Sequence, residues 1–413
     1  MTGELEPALT TPAAGDQVAL RYTPERPLVL FTDFPPDAGG GANVIINGLL
    51  TESERRAVVR VSPSPPAAPP GPGGPPVVTL RRGSYGRTGR RSWVADMVRH
   101  ASALADETAA VARERGAAGV WVVLHNAGVP VGLRLARGSG FPVHVGVNDD
   151  PPYGVALRSR RGLMLVPWVA RTFAAALRAA SSVDTTSAPM RDRYLRRYGV
   201  DSVVTHRGVA GPLRPNSAFT RAAGELSVGV LGNVYAYAQL PLLGRAVAAA
   251  AAKVGARGKV VVLGQGFGDR LGRDLAPLGV GVDAPGHVSE AAAVDRLRGC
   301  LAVYLNYPFG WRDRVMRQTS FPVKLSTYLS ATRPVLFHGP TDTSVNGPMA
   351  AAPGFFRHWT DADPAAGAGL LADLWADPAA DESWTAGAEA VRAGYYDLPT
   401  YRRNLIGALN RLG

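Results

Sequence analysis

Residues Thr319 to Pro340 read TSFPVKLSTYLSATRPVLFHGP, a polar turn, a short helix and a buried strand in immediate succession. Ser320 or Thr319 is suited to cap the helix and Pro322 to its first turn, while Phe321, Leu325, Tyr328 and Leu329 fall on one helical face. Arg333 and Pro334 end the helix, and PVLF reads as a strand. A helix start presents backbone N–H groups and the positive end of the dipole, so phosphate oxygens are its natural guests. Lys324 stands in that first turn. With Lys253 and Lys259 it makes up all the lysine of a chain that has 42 arginines. A surface helix with an exposed lysine is the other reading of the same residues.

The segment resembles the donor-binding helix of the GT-B glycosyltransferases, in particular the retaining family-4 type, whose members run roughly F-P-x-K-L-x-E-Y-L-A-x-G-x-P-V here. The resemblance implies an α/β fold of two Rossmann-like domains facing a central cleft, one holding a nucleotide sugar and the other an acceptor. Where those enzymes carry two glutamates eight residues apart, this chain has Thr319 and Thr327. Threonines still hydrogen-bond hydroxyls, but more weakly than carboxylates. The Arg and Lys that follow the second-domain glycine turn in the family are also missing: Asn233 to Gln239, NVYAYAQ, holds no cation. Arg312, Arg314 or Arg317 is the expected substitute.

A chain of 413 residues with 46% hydrophobic content can bury large cores and suits two domains of ordinary size. No apolar run reaches the length needed to span a bilayer, and Met1 to Arg26 lacks the apolar core of a secretory signal, so the expected location is cytoplasmic. Cys300 is the only cysteine, which excludes an intrachain disulfide and a cysteine-based metal site. Residues 1 to 210 carry 25 Lys+Arg and 17 Asp+Glu, a net of +8 out of the chain's +12. A basic surface attracts nucleic acid, an anionic leaflet or a phosphorylated acceptor. Arginine with abundant Ala, Gly and Pro is equally the amino-acid usage of a high-GC bacterial genome. No zinc-finger spacing or RNA-binding aromatic signature accompanies the charge, so nucleic acid is not expected as a partner.

Upstream, RPLVLFTDF (26–34) is a strand leading through Gly39, Gly40 and Gly41 into a helix, the opening of a Rossmann-like unit without the dinucleotide fingerprint. Ser62 to Pro76 is too rich in Pro and Gly for a packed element. Strands at GVWVVLHNAG, FPVHVGVNDD, SSVDTT and DSVVTHRG alternate with helices, which argues for a parallel sheet. Ligands of such sheets sit beyond the carboxyl ends of the strands, so His125, Asn148, Asp149 and Asp150 become candidates. The expected divisions are a loose tail over 1–26, a first domain over 27–210 with helix 396–413 packing back on it, a linker over 211–224, and a donor domain over 225–395.

Glycosyl transfer needs the leaving diphosphate neutralised as the anomeric bond breaks, and a helix start with a cation supplies this without metal. Expected donor-binding residues are Gly232, Asn233, Gly264, Gly266, His287, Thr319, Ser320, Phe321, Pro322, Val323, Lys324 and Thr327. Gly40, Gly41 and Asn148 are placed toward the acceptor by the resemblance. Asp149, Asp150 and His125 are candidates to orient or deprotonate it. Adjacent acids before Pro151 and Pro152 also describe an exposed turn, and a structural histidine is the other reading of His125. The expectation is a metal-independent, retaining enzyme without cofactor. Its co-substrate would be a UDP-, GDP- or dTDP-linked sugar, and its acceptor a small molecule, plausibly of specialised metabolism, or a lipid-linked one. At most peripheral membrane contact and a monomer or homodimer go with this. The alternatives are a sugar-nucleotide epimerase or hydrolase, and a catalytically silent protein that binds a nucleotide or supports a partner enzyme.

Overall fold

The computed structural model describes residues 18–35, 41–66, 75–81, 96–158, 160–215, 224–232, 234–264, 266–377 and 380–412. They form two compact units, an N-terminal one of Ala13–Gly208, Gln318–Phe321 and Leu398–Gly413, and a C-terminal one of Val209–Arg317 and Pro322–Asp397.

The N-terminal unit is built on seven parallel strands: β1 Leu28–Phe31, β2 Val58–Ser62, β3 Val77–Thr79, β4 Gly119–Val123, β5 Val143–Val147, β6 Ser182–Thr185 and β7 Val203–Val204, in the order β3-β2-β1-β4-β5-β6-β7. Every residue of β1, β2, β4 and β5 is buried, as expected of strands covered by helices on both faces. Their Val, Leu and Phe side chains form the core with helices Ala101–Glu114, Gly128–Gly138 and Arg160–Ala179. The strand order reverses between β1 and β4, which creates a switch point at their carboxyl ends.

Helix Leu398–Asn410 belongs to this unit, where Asn404 donates to the Val204 carbonyl (2.8 Å) and Arg402 pairs with Glu54 (3.0 Å). Gly208 accommodates it: a Cβ there would lie 2.3 Å from the Leu398 Cα. The loose tail expected over 1–26 falls only in part within the described residues. Residues 1–17 lie outside the described residues, but Arg21 N donates to Asn410 (3.0 Å) and the Tyr22 hydroxyl to the Leu409 carbonyl (2.7 Å).

The C-terminal unit has six parallel strands, β8 Glu225–Leu231, β9 Arg257–Leu263, β10 Gly281–Gly286, β11 Ala302–Asn306, β12 Val335–His338 and β13 Phe356–Trp359, ordered β10-β9-β8-β11-β12-β13. Its switch point lies between β8 and β11. Cys300, just before β11, is 1% exposed, and burial pushes its thiol up to about 12. Among the described residues no helix is long and apolar enough to cross a membrane, and no group of three or more His, Cys, Asp or Glu could hold a metal ion. Of the expected linker, 216–223 lie outside the described residues.

Candidate functional site

Each switch point gathers a cluster of candidate side chains. In the C-terminal unit the cluster starts from glycines. Gly232 follows β8 with φ 63°, and its N–H donates to the Leu263 carbonyl (2.6 Å); Gly264 follows β9 with φ 142°, and its N–H donates to the Gly286 carbonyl (3.0 Å). The two glycines touch: a Cβ on Gly264 would come within 3.1 Å of the Gly232 Cα. Only residues without side chains pack this way, and the result exposes backbone at three adjacent strand ends. Gly266 has φ 100°. Asn233 lies outside the described residues. His287 follows β10 and is exposed.

Helix Lys324–Ala331 stands beside these turns because Tyr328 bolts it there. The Tyr328 hydroxyl accepts from Leu231 N (3.0 Å) at the end of β8 and donates to the Tyr304 carbonyl (2.9 Å) in β11. Lys324 is the first helical residue, half-buried, with its Nζ 5.2 Å from the centroid of the Tyr235 ring. Burial lowers its ammonium to about 7. Tyr235 meets Tyr307 edge to face at 5.0 Å. Gln239 and Asn306 fix the loop that carries it: Asn306 donates to the Ala236 carbonyl (2.9 Å) and to Gln239 (2.6 Å), which in turn donates to the Tyr307 carbonyl (2.9 Å). The segment expected to lack a partner for the donor thus supplies an aromatic face instead of a cation. A ring face beside an ammonium holds it by cation–π attraction. Thr327 is buried, with its hydroxyl 3.4 Å from Glu290.

Two expectations about this helix change. It has no side-chain cap: Val323 precedes it, and Thr319 ends a separate helix, Arg314–Thr319. Thr319, Ser320 and Phe321 belong to the N-terminal unit, where the Thr319 carbonyl accepts from Ser187 (2.6 Å), the Ser320 hydroxyl donates to Asp149 (2.9 Å) and the Phe321 carbonyl lies 3.3 Å from His206 Nε2. All three are buried. Pro322 is buried too, its carbonyl accepting from the Tyr396 hydroxyl (3.1 Å). Arg317 is no substitute clamp either. It forks onto Asp342 (2.7 and 3.1 Å) and donates to the Gly310 carbonyl (2.7 Å), which leaves it bracing a loop.

In the N-terminal unit the switch point brings together residues 92 positions apart. Asp33, following β1, is fully buried; one carboxylate oxygen lies 2.8 Å from His125 Nδ1 and the other accepts from Ala127 N (3.0 Å). His125, following β4, has a side chain 39% exposed and lies edge-on to Phe34 at 5.9 Å. The Asn126 amide nitrogen lies along the ring, 2.9 and 3.1 Å from its two nitrogens. The turn is tight. Asn126 has φ 36°, and Gly128 N donates to the His125 carbonyl (2.6 Å) where any Cβ would strike the Val123 carbonyl at 2.1 Å. A carboxylate at Nδ1 fixes the ring proton there and makes Nε2 the proton-accepting edge. Asp33 was not singled out from sequence; its place after an apolar strand, on the TDF end of RPLVLFTDF, was the available signal.

Asp149 and Asp150 lie at the end of β5. Asp150 is 5% exposed and caps helix Pro151–Arg158, accepting from Tyr153 N (3.0 Å) and from the Tyr194 hydroxyl (3.3 Å), and burial raises its carboxyl. Asp149 is exposed and receives the Ser320 hydroxyl. Asn148 accepts the Thr186 hydroxyl on its carbonyl (3.1 Å). Gly41 is the exposed first residue of helix Gly41–Leu49, and Gly40 lies outside the described residues.

No protein-family model matches the chain, and no curated protein is significantly similar to it in sequence. Solved structures share its fold. Sucrose-phosphate synthase from Thermosynechococcus elongatus superposes with a TM-score of 0.64 at 15% identity, over 90% of this chain and 95% of that one. HepE from Anabaena, solved in complex with UDP and glucose, gives 0.62 at 14% identity over 93% and 99%. The alpha,alpha-trehalose 6-phosphate synthase of Burkholderia multivorans gives 0.60 at 16% identity over 93% and 98%. At such identities the fold is what is shared, and it is the GT-B fold.

Proposed function

We propose that the chain is a glycosyltransferase that moves a sugar from a nucleotide-activated donor to a hydroxyl or amine of a small-molecule or lipid-linked acceptor. The observation that carries this is Lys324, half-buried on the first turn of its helix, against the Tyr235 ring and beside the turns of Gly232 and Gly264. A diphosphate laid on that helix start meets backbone N–H groups and an ammonium, and the charge that develops on it as the glycosidic bond breaks is met without a metal ion. The open glycine turns let backbone approach the nucleotide. The likeness to HepE, solved with UDP and glucose, supports a nucleoside diphosphate sugar as donor.

The motif around Lys324 favours retention of anomeric configuration. One observation favours inversion: Asp33 and His125 form a base of the kind a one-step displacement needs to take the acceptor proton.

A thermal-shift screen against UDP, GDP, ADP, CDP and dTDP with selected sugar nucleotides, repeated with Lys324→Ala, tests the reading. Stabilisation by one nucleotide that is lost in the variant supports it. Silence toward all of them overturns it, and hydrolysis or epimerisation of the sugar nucleotide without transfer to any acceptor replaces transfer with that activity.

A further inference from the structure

The N-terminal unit also exposes large apolar side chains outside the candidate site. On helix Arg160–Ala179, Leu163 (55% exposed), Met164 (81%) and Trp168 (37%) face solvent with Pro167 between them. Their spacing puts them on one side of the helix, opposite the buried Val169, Phe173, Ala176 and Leu177. Arg171 and Arg178, also exposed, continue the same side. On the neighbouring helix Ala188–Tyr198, Leu195 is 48% exposed and is followed by exposed Arg196 and Arg197. Of the large apolar side chains left exposed among the described residues of this unit, only Val98 lies outside these two helices.

The stretch that holds these helices is basic. Residues 151–200 hold nine arginines and two aspartates, a net of +7, beside a net of +6 in residues 51–100.

We infer that this face docks on an anionic phospholipid surface. Thioether, indole and leucine side chains enter the acyl boundary while the guanidinium groups on the same helices meet lipid phosphates. Apolar side chains ringed by acids would suit a protein partner. Here the exposed charges described on the same helices are Arg171, Arg178, Arg196 and Arg197, and arginine pairs with phosphate through its planar fork of donors. The mode is interfacial, because the helix is amphipathic and its other side is committed to the core.

The test is flotation of the full chain with vesicles of phosphatidylcholine, and of phosphatidylcholine and phosphatidylglycerol in equal parts, at low and at high salt. The expected result is binding to the anionic vesicles only, weakened by salt, and weakened about tenfold or more by Met164→Ser with Trp168→Ser. Arg171→Glu is expected to weaken it separately. Circular dichroism and nucleotide-dependent thermal shifts unchanged from wild type would show that the variants fold. Equal binding to both vesicle types, no binding to either, or binding indifferent to these substitutions overturns the inference. So does a dimer in light scattering that the Met164 and Trp168 changes dissolve, which would make the face a contact between two copies.

Discussion

His125 Nδ1 stands 2.8 Å from a carboxylate oxygen of Asp33, a residue with no solvent exposure whose other oxygen is held by a backbone N–H. The imidazole therefore has a fixed orientation before any substrate arrives, and its partner comes from the far side of the strand crossover.

If this pair takes the acceptor proton, His125→Ala is expected to lower kcat/KM by about 10²–10⁴ with nucleotide binding unchanged. Asp33→Asn should lose much of the same activity, because an amide at Nδ1 no longer fixes the ring proton there. Product stereochemistry read by NMR should then show inversion. A loss within about tenfold, with retention, returns the reaction to the course in which the leaving diphosphate receives that proton.

Lys324 predicts a pH effect on binding. With burial lowering it to about 7, the unliganded side chain loses its proton as pH rises through that value, and a bound diphosphate restores the charged form. Nucleotide affinity is expected to fall above pH 7 by up to roughly tenfold per pH unit while this group alone titrates. Calorimetry at pH 8 in buffers of different ionisation heat should show proton uptake, which Lys324→Arg removes.

The same group bears on stability. Its value in the unfolded chain is near 10.5, so between about 7 and 10.5 the unfolded state holds more protons. The cost of burying the ammonium is full below pH 7 and fades as pH rises toward 10.5. Lys324→Met is expected to stabilise the protein at pH 7 by on the order of 1–3 kcal/mol, seen in denaturant midpoints, while abolishing nucleotide-dependent stabilisation. A variant no more stable than wild type would show that the ammonium is better solvated than its surroundings imply.

Gly264→Ala should weaken both fold and binding. Its φ of 142° excludes ordinary side chains, and the new methyl would press on the Gly232 backbone at 3.1 Å. The expected cost is on the order of 1–3 kcal/mol. Gly266→Ala meets nothing within 4 Å and carries only backbone strain at φ 100°, so the difference between the two variants isolates the contact.

Asp150 caps a helix and holds a buried tyrosine hydroxyl, so Asp150→Ala should cost about 2 kcal/mol and Asp150→Asn less than half of that, since asparagine caps equally well. Activity should follow stability in both. Turnover lost in Asp150→Asn at full stability would assign the carboxylate a part in the reaction instead.

The elements that sequence pattern revealed are those with long apolar runs. VVLHN and VLFHGP read as strands ending in polar turns; the first is β4, at whose end the N-terminal switch point lies, and the second is β12. β3 escaped because its three residues adjoin a Pro and Gly run that dominates local signals. Helix Pro151–Arg158 escaped because NDDPP resembles an exposed turn, when Asp150 and Pro151 are in fact a cap and a first helical residue. Lys324 was legible since its neighbours form a contiguous motif. The Asp33–His125 pairing was not, because no local signal links residues 92 apart and only the strand order brings them together. The misplacement of Thr319 and Ser320 has the same origin: the helix cap they resemble is overridden by hydrogen bonds to Ser187 and Asp149, more than a hundred residues upstream.

The lone cysteine has a practical consequence. Buried and held protonated with its thiol near 12, Cys300 has on the order of one thiolate in 10⁴ at pH 8 and almost no surface to offer a reagent. Any cysteine introduced on an exposed position, at Arg171 or beside Tyr235 for instance, becomes the one thiol that maleimides and spin labels find. The protein is therefore ready for site-specific labelling with its native residue left in place.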